Sequence, residues 1–354
     1  MSSSNEGRIP VIDISGSVPQ SEVAKQLVDA AATFGFVYIK NLGKDIPVDA
    51  IDRTFELSQK FFSSPVEEKL PCKIANNNRG WSGMHTEKLD EKNQRVGDFK
   101  EAFNLGDFVD GKADQPLPPS LSPHESELND FQLYCHKLCL KLLTLFAIGL
   151  EIDPAAGGSD WFSSRHHGVQ QDVSFVCSTI LPCPQILTTN PMLIFELVLI
   201  QTMDLSPFYS VQRPSQPGLE ILPPSSSSEP KWTPVPIQPP TTENDPSPPI
   251  LVNIGDLLSH WTNNLLVSTV HRVIFPKSLP TEIADRYSIA YFCHPVGTTV
   301  LESVPSERVQ KFGEANGEIE RKKGEKITAD EHLMGRLRAT YAGLYEENKG
   351  DKKE

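Results

Sequence analysis

Two short stretches in the C-terminal half hold side chains whose types and spacing could do chemistry. The first is Val270-His271-Arg272-Val273, preceded by Asn253-Ile254-Gly255-Asp256 and Trp261-Thr262-Asn263. An imidazole inside an alternating apolar strand is either a hydrogen-bonded core residue or a metal ligand, and the stretch by itself leaves both open. The second is Arg286-Tyr287-Ser288, followed by Ile289-Ala290-Tyr291-Phe292. Residues two apart on a strand share a face. Arg286 and Ser288 would then set a guanidinium fork beside a hydroxyl, which suits a carboxylate. A surface ion pair is the other reading.

The elements that must position these residues follow from periodicity. Ile9 to Ile14 alternates as a strand. Val23, Leu27, Val28 and Ala31 form one helical face, with Ser21 as the expected N-cap and Gly35 as the stop. Phe36 to Ile39 is the next strand, and a second helix is expected over Ile51 to Phe62. A turn covers Asn78 to Gly83, a strand Asp98 to Asn104, a Pro-rich loop Gln115 to Pro123, and a long apolar helix Phe131 to Ile152. Beyond residue 173 the segments are short and Pro-punctuated. Strands are expected at Leu219–Leu222, Trp232–Ile237, Ile250–Ile254, Thr269–Phe275 and Tyr287–Phe292, which together suggest a sandwich or jelly roll. Pro223 to Pro230 reads as a loop, and Ala329 to Tyr345 has helical spacing.

The formal net charge of -13 over 354 residues argues against a phosphate-backbone partner, so nucleic acid is not expected. No apolar run near the roughly 18 residues of a membrane span stands out, and Met1 to Gly7 has no signal-peptide core, so no membrane association is expected. Cys72, Cys135, Cys139, Cys177, Cys183 and Cys293 show neither a CxxC pair nor framework spacing. Reduced thiols in a cytoplasmic protein are the expectation, with Cys135 and Cys139 packed in the core of the long helix.

Further stretches extend the pattern: Ile9-Pro10-Val11-Ile12-Asp13, Gly35 to Asn41, Arg79 to Gly83, Asp98 to Phe103 and Gln216 to Glu220. Together with the two C-terminal stretches they resemble the 2-oxoglutarate and Fe(II)-dependent dioxygenases of the isopenicillin-N-synthase-like branch, over residues 8–172 and 212–347. The resemblance implies a mainly β fold with flanking helices (α+β) and a double-stranded β-helix, or jelly-roll, core. It implies an N-terminal α/β region at 1–120, an oxygenase core at 121–300 and a helical tail at 301–354. It further implies Fe(II) and 2-oxoglutarate as cofactor and co-substrate, with O₂. Oxidative decarboxylation of the keto acid would drive hydroxylation, or a related oxidation, of a small molecule. His271 would be the distal iron-binding histidine, and Arg286 with Ser288 would hold the C5 carboxylate of 2-oxoglutarate.

One part of the pattern is missing. Two imidazoles and one carboxylate hold iron in such sites, yet the chain contains no His-x-Asp. Where the motif belongs, Val173 to Val211 fits nothing in the family. Read one frame away, taking the last base of each codon with the first two of the next, the stretch changes character. Met203 with Asp204 must give Gly, and Phe208 with Tyr209 must give Leu. Leu199 with Ile200 can give His, Ile200 with Gln201 Ser or Thr, Gln201 with Thr202 Asp, and Thr202 with Met203 Tyr. The hidden reading can therefore run His-Ser/Thr-Asp-Tyr-Gly-Ser-Leu-Thr-Leu-Leu. A misplaced intron boundary or a small insertion would produce this, and the alternative is a diverged protein that no longer binds iron. As written, the chain is expected to bind iron weakly or not at all. Pro182, Pro184, Pro191 and Pro207 predict an irregular loop in place of a core strand. Two weaker candidates, Arg165-His166-His167 with Asp172, and Asp204 with Gln201, read as a turn and as chance neighbours.

Overall fold

The structure, a computed structural model, describes residues 8–75, 77–86, 100–166, 175–180, 198–200, 208–212, 218–223, 231–274, 285–318 and 326–340. The chain opens with β1 (Val11–Ile12), α1 (Gln20–Phe34), β2 (Phe36–Ile39), α2 (Val48–Phe62) and α3 (Val66–Lys69). Next come β3 (Gly80–Ser82), β4 (Lys100–Leu105), the hairpin β5 (Phe108–Val109) and β6 (Lys112–Ala113), and α4 (Glu125–Gly149). The remaining strands are β7 (Phe175–Ile180), β8 (Val198–Ile200), β9 (Phe208–Gln212), β10 (Leu219–Ile221), β11 (Thr233–Pro234), β12 (Ile250–Asn253), β13 (His271–Val273) and β14 (Arg286–Tyr291). Helices α5 (Asp256–Trp261), α6 (Glu307–Ala315) and α7 (Ala329–Thr340) fall between and after them. Helix exceeds strand, so α+β describes the chain better than mainly β.

The strands form two principal sheets. The larger runs β1-β2-β12-β9-β14-β7-β4-β3 and the smaller β11-β10-β13-β8. The β1–β2 pair is parallel, and the pairs that carry the centre of both sheets are antiparallel. Side-chain alternation tells which way each face looks. Val37 and Ile39 of β2 join the main core with α1, α2 and α4, whereas Phe36 and Tyr38 join a second cluster with Leu219 and Ile221 of the small sheet. One strand thus builds the helical side and the inter-sheet side at once.

Helix α1 starts after Pro19, whose extended backbone supplies the cap geometry without a side-chain hydrogen bond. Ser21, the expected N-cap, lies inside the first turn. The helix stops at Gly35, which takes the left-handed conformation at φ 65°, where a Cβ is disfavoured. Helix α4 begins six residues before the expected Phe131 and ends three before Ile152. It packs on α1 and α2. Residues Ser122–Gly149 are in fact long and apolar enough to cross a bilayer by length and composition. The inward face explains that apolarity: Phe131, Leu138, Leu142 and Phe146 are all buried against the core.

The described parts of segment 173–211 depart from expectation. Its prolines predict an irregular loop, but β7, β8 and all but the last residue of β9 lie in it, and β7 pairs along its length with both β4 and β14. The physical reason is that these strands are free of proline, so every residue retains its ladder N–H. The four prolines fall outside the described residues, as do Pro224 to Pro230 of the expected loop. Elsewhere an expected strand is shortened: of Trp232–Ile237 only the two residues of β11, Thr233 and Pro234, are strand, because Pro234 and Pro236 lack a ladder N–H.

Cysteine chemistry also differs. Cys139 of α4 and Cys293, two residues past β14, form a buried disulfide, while Cys72 and Cys135 are free thiols. The expectation of wholly reduced thiols fails because folding brings residues 154 apart in sequence into bonding range, a closeness that spacing along the chain does not reveal. Closing so long a loop should stabilise the fold by about 3–5 kcal/mol. Differential alkylation followed by mass spectrometry should label Cys139 and Cys293 only after treatment with a dithiol. The same treatment, or Cys293→Ser, should lower Tm by several degrees; labelling of both residues in the untreated protein would contradict the bond.

Candidate active site

The inter-sheet face of β13 positions His271. Across the small sheet His271 stands opposite Ile221 of β10 and Ile200 of β8. Ile221 belongs to the inter-sheet cluster, so His271 shares that face. Phe36 of the large sheet meets the imidazole edge-on at 5.4 Å between ring centres. Arg272 takes the opposite face, with Nε donating to Glu220 at 2.7 Å and the guanidinium 4.0 Å over the Trp232 ring.

His271 is buried, and its Nδ1 lies 3.0 Å from the Thr269 carbonyl oxygen. A carbonyl only accepts, so Nδ1 carries the proton and Nε2 keeps its lone pair. Burial pushes the His271 pKa down to about 4, against the opposing effects of the Thr269 carbonyl and of Asp256. The ring is therefore neutral at pH 7, the form a metal requires.

Strand β14 positions the second group. Tyr287, Ile289 and Tyr291 face the helical core, and Tyr291 also contacts His136 of α4 at 3.1 Å. By alternation Arg286 and Ser288 face the space between the sheets, as His271 does. Arg286 is 9% exposed. Burial lowers its pKa to about 10, which still leaves the guanidinium charged at neutral pH. The structure thus brings the sequence-predicted His271, Arg286 and Ser288 to facing surfaces of two sheets.

The other candidates resolve differently. His166 is fully buried, its Nδ1 2.7 Å from the Phe162 carbonyl, and Arg165 spans the Trp161 ring at 4.0 Å while donating to the Trp161 carbonyl. Both shape a turn, as expected; His167 and Asp172 lie outside the described residues, as do Gln201 and Asp204. Among the described residues, no three His, Cys, Asp or Glu side chains gather so as to hold a metal ion. A groove of about 1100 Å³ is lined by Tyr38, Leu219 and Ile221 of the same inter-sheet cluster, together with Arg8, Lys40 and Glu220, and neither His271 nor Arg286 lines it.

Sequence reasoning missed the groups that support His271. Ser268 donates to Asp256 Oδ1 at 2.6 Å, and Thr269 donates to the Phe34 carbonyl at 2.7 Å. The available signal was the closeness of Asp256 and His271 in the quoted stretches. It also missed the buried Lys69, whose Nζ lies 3.2 Å from Glu101 and 2.7 Å from the Phe62 carbonyl, while Trp81 Nε1 donates to the same Glu101.

Two facing sheets with an α/β lead-in thus carry an inward His and Arg on strands of different sheets. Comparison with known proteins gives the class. Residues 9–125 match the model of the non-haem dioxygenase N-terminal region, described as from morphine synthesis, and residues 197–295 match the 2OG-Fe(II) oxygenase superfamily. A UPF0676 protein of Schizosaccharomyces pombe is 36% identical, covering 94% of this chain and 92% of its own length. The 2-oxoglutarate-Fe(II) type oxidoreductase ppzD of Metarhizium majus is 30% identical over 79% of this chain and 81% of its own. A full-length Neurospora crassa protein, solved in complex with alpha-KG, superposes with a TM-score of 0.73 at 28% identity, covering 95% of this chain and 98% of that one. The same Neurospora protein has been solved with alpha-KG and thymine together. This chain belongs to the 2OG-Fe(II) oxygenase superfamily, whose members use Fe(II), 2-oxoglutarate and O₂.

The lowered pKa of His271 has a consequence for stability. A histidine at 6.5 when unfolded and about 4 when folded leaves the unfolded chain binding the extra proton between those values. Its contribution is complete above pH 6.5 and lost as pH falls towards 4. Denaturant midpoints measured across that range should fall with pH in the wild type and fall less steeply in His271→Gln.

Proposed function

We propose that this protein, in its correct reading frame, is an Fe(II)- and 2-oxoglutarate-dependent oxygenase that hydroxylates or otherwise oxidises a small molecule inside a jelly roll made of the two facing sheets. One observation carries the reading: His271 and the Arg286–Ser288 pair face the same inter-sheet space from opposite sheets. His271 would be one iron ligand. Arg286 and Ser288 would grip the far carboxylate of 2-oxoglutarate through a forked, charge-assisted pair and a hydroxyl. The thymine held by the similar Neurospora crassa protein supports a small-molecule substrate.

The residues present do not fit the metal. Among the described residues one imidazole stands where two imidazoles and a carboxylate are needed, and Ile200 is the residue directly across from His271. The frame reading accounts for the gap. The bases that close codon 199 and open codon 200 can spell His, and antiparallel partners sit with Cβ atoms about 4.5–5.5 Å apart, close enough for two rings to share an ion. The shifted codon falls between Leu199 and Ile200, the two residues that pair with Arg272 and His271. The second reading, a catalytically inactive binding or scaffold protein on the same fold, is favoured by Ile200 as it stands, because an aliphatic side chain cannot ligate.

Sequencing the transcript across codons 173–211 separates the two. A restored His-x-Asp supports the oxygenase; an unchanged sequence supports the inactive protein. Calorimetric titration with Mn(II) should show stoichiometric uptake by the restored protein and none by the chain as written, so tight uptake by the latter would overturn the account of lost ligands. In the restored protein, Arg286→Gln should weaken 2-oxoglutarate binding roughly 10- to 100-fold, the worth of one strong charge-assisted pair, with Mn(II) affinity little changed.

A further inference from the structure

His271 depends on a short turn, Val267–Thr269, that is tied down at several points. Val267 N–H donates to the Ala31 carbonyl at 3.2 Å and Thr269 Oγ1 to the Phe34 carbonyl at 2.7 Å, both at the end of α1. On the other flank Ser268 Oγ donates to Asp256 Oδ1 at 2.6 Å, at the start of α5. Gly35 allows the close approach: a Cβ there would lie 2.2 Å from the Val267 carbonyl oxygen and 2.4 Å from Thr269 Oγ1. The Thr269 carbonyl, held between these anchors, is the acceptor for His271 Nδ1.

We propose that Asp256 and Ser268 are positioning residues: by fixing the turn against Gly35 and the end of α1, they hold His271 with its proton on Nδ1 and Nε2 unprotonated. An imidazole moves its proton between two nitrogens at little cost, so an unheld ring populates both forms, and only one of them offers Nε2 as a ligand. A fixed hydrogen-bond acceptor on the far nitrogen removes the choice before any ion arrives. Both residues act through the segment that carries the Thr269 carbonyl. The inference rests on the reading of His271 as an iron ligand, but the tautomer can be observed without metal.

The test is a long-range proton–nitrogen correlation spectrum of the full chain with ¹⁵N-labelled histidine, in which the His271 ring is assigned by its loss in His271→Gln. The wild type is expected to show a single neutral form protonated on Nδ1. Ser268→Ala and Asp256→Ala are each expected to convert at least about a tenth of the ring to the Nε2-protonated form, while His166 keeps its pattern. Ser268→Thr, which retains the hydroxyl, should return the wild-type spectrum, and the unchanged His166 signals serve as the check that the variants remain folded. A wild-type ring protonated on Nε2 overturns the proposal, and so does an unaltered ring in both folded variants. If the frame-restored protein takes up no Mn(II) although its ring is held on Nδ1, the iron-site reading fails and the positioning stands.

Discussion

Alternation along the strands of the large sheet is the constraint on which the remaining structure depends. Each strand must satisfy helices on one face and the small sheet on the other, so odd and even residues have different jobs. In β2 that division sends Val37 and Ile39 to the helices and Phe36 to the ring of His271. In β14 it sends Tyr287, Ile289 and Tyr291 to the helices and leaves Arg286 and Ser288 for the interior. A slip of one residue in either strand would bury the wrong set and scatter the candidate site. The core and the chemistry are therefore specified by the same register.

The same constraint explains why a segment that lacks the family's His-x-Asp still completes the sheets, and why its part from residue 197 on still matches the family model. β-Pairing needs N–H and C=O groups and tolerable side chains, not particular ones. Phe175–Ile180, Val198–Ile200 and Phe208–Gln212 supply proline-free, β-branched or aromatic runs, and each finds a ladder partner. Coordination is less forgiving. A metal site requires specific donor atoms at specific places, and Ile200 occupies a place in the ladder without offering a donor. Scaffold and site thus make different demands on the same stretch: the scaffold needs only a pattern, whereas the site needs identities.

Around His271 the support comes from several distant parts of the chain. Helix α1 contributes its last carbonyls, Gly35 its missing side chain, and α5 the carboxylate of Asp256. Behind β14 the support is of another kind, with Tyr291 against His136 and the Cys139–Cys293 bond joining the strand's exit to α4. Helices α1 and α4 are thus structural backing for the two halves of the candidate site.

Much of this was legible in the residues alone. The strand–helix–strand opening, the stop at Gly35, the strands at 250–253 and 286–291, the pairing of Arg286 with Ser288 on one face, and the lack of a His-x-Asp anywhere in the sequence all follow from local period, glycine and residue identity. These are properties of neighbours along the chain. What folding alone decided were relations across long separations: the ladder that sets Ile200 opposite His271, the contact of Phe36 with that ring, the turn that fixes its proton, the burial of Lys69 with Glu101, and the disulfide between Cys139 and Cys293. Local pattern says which face a residue takes within its own strand. It does not carry the register between strands, and the register decides which side chains meet.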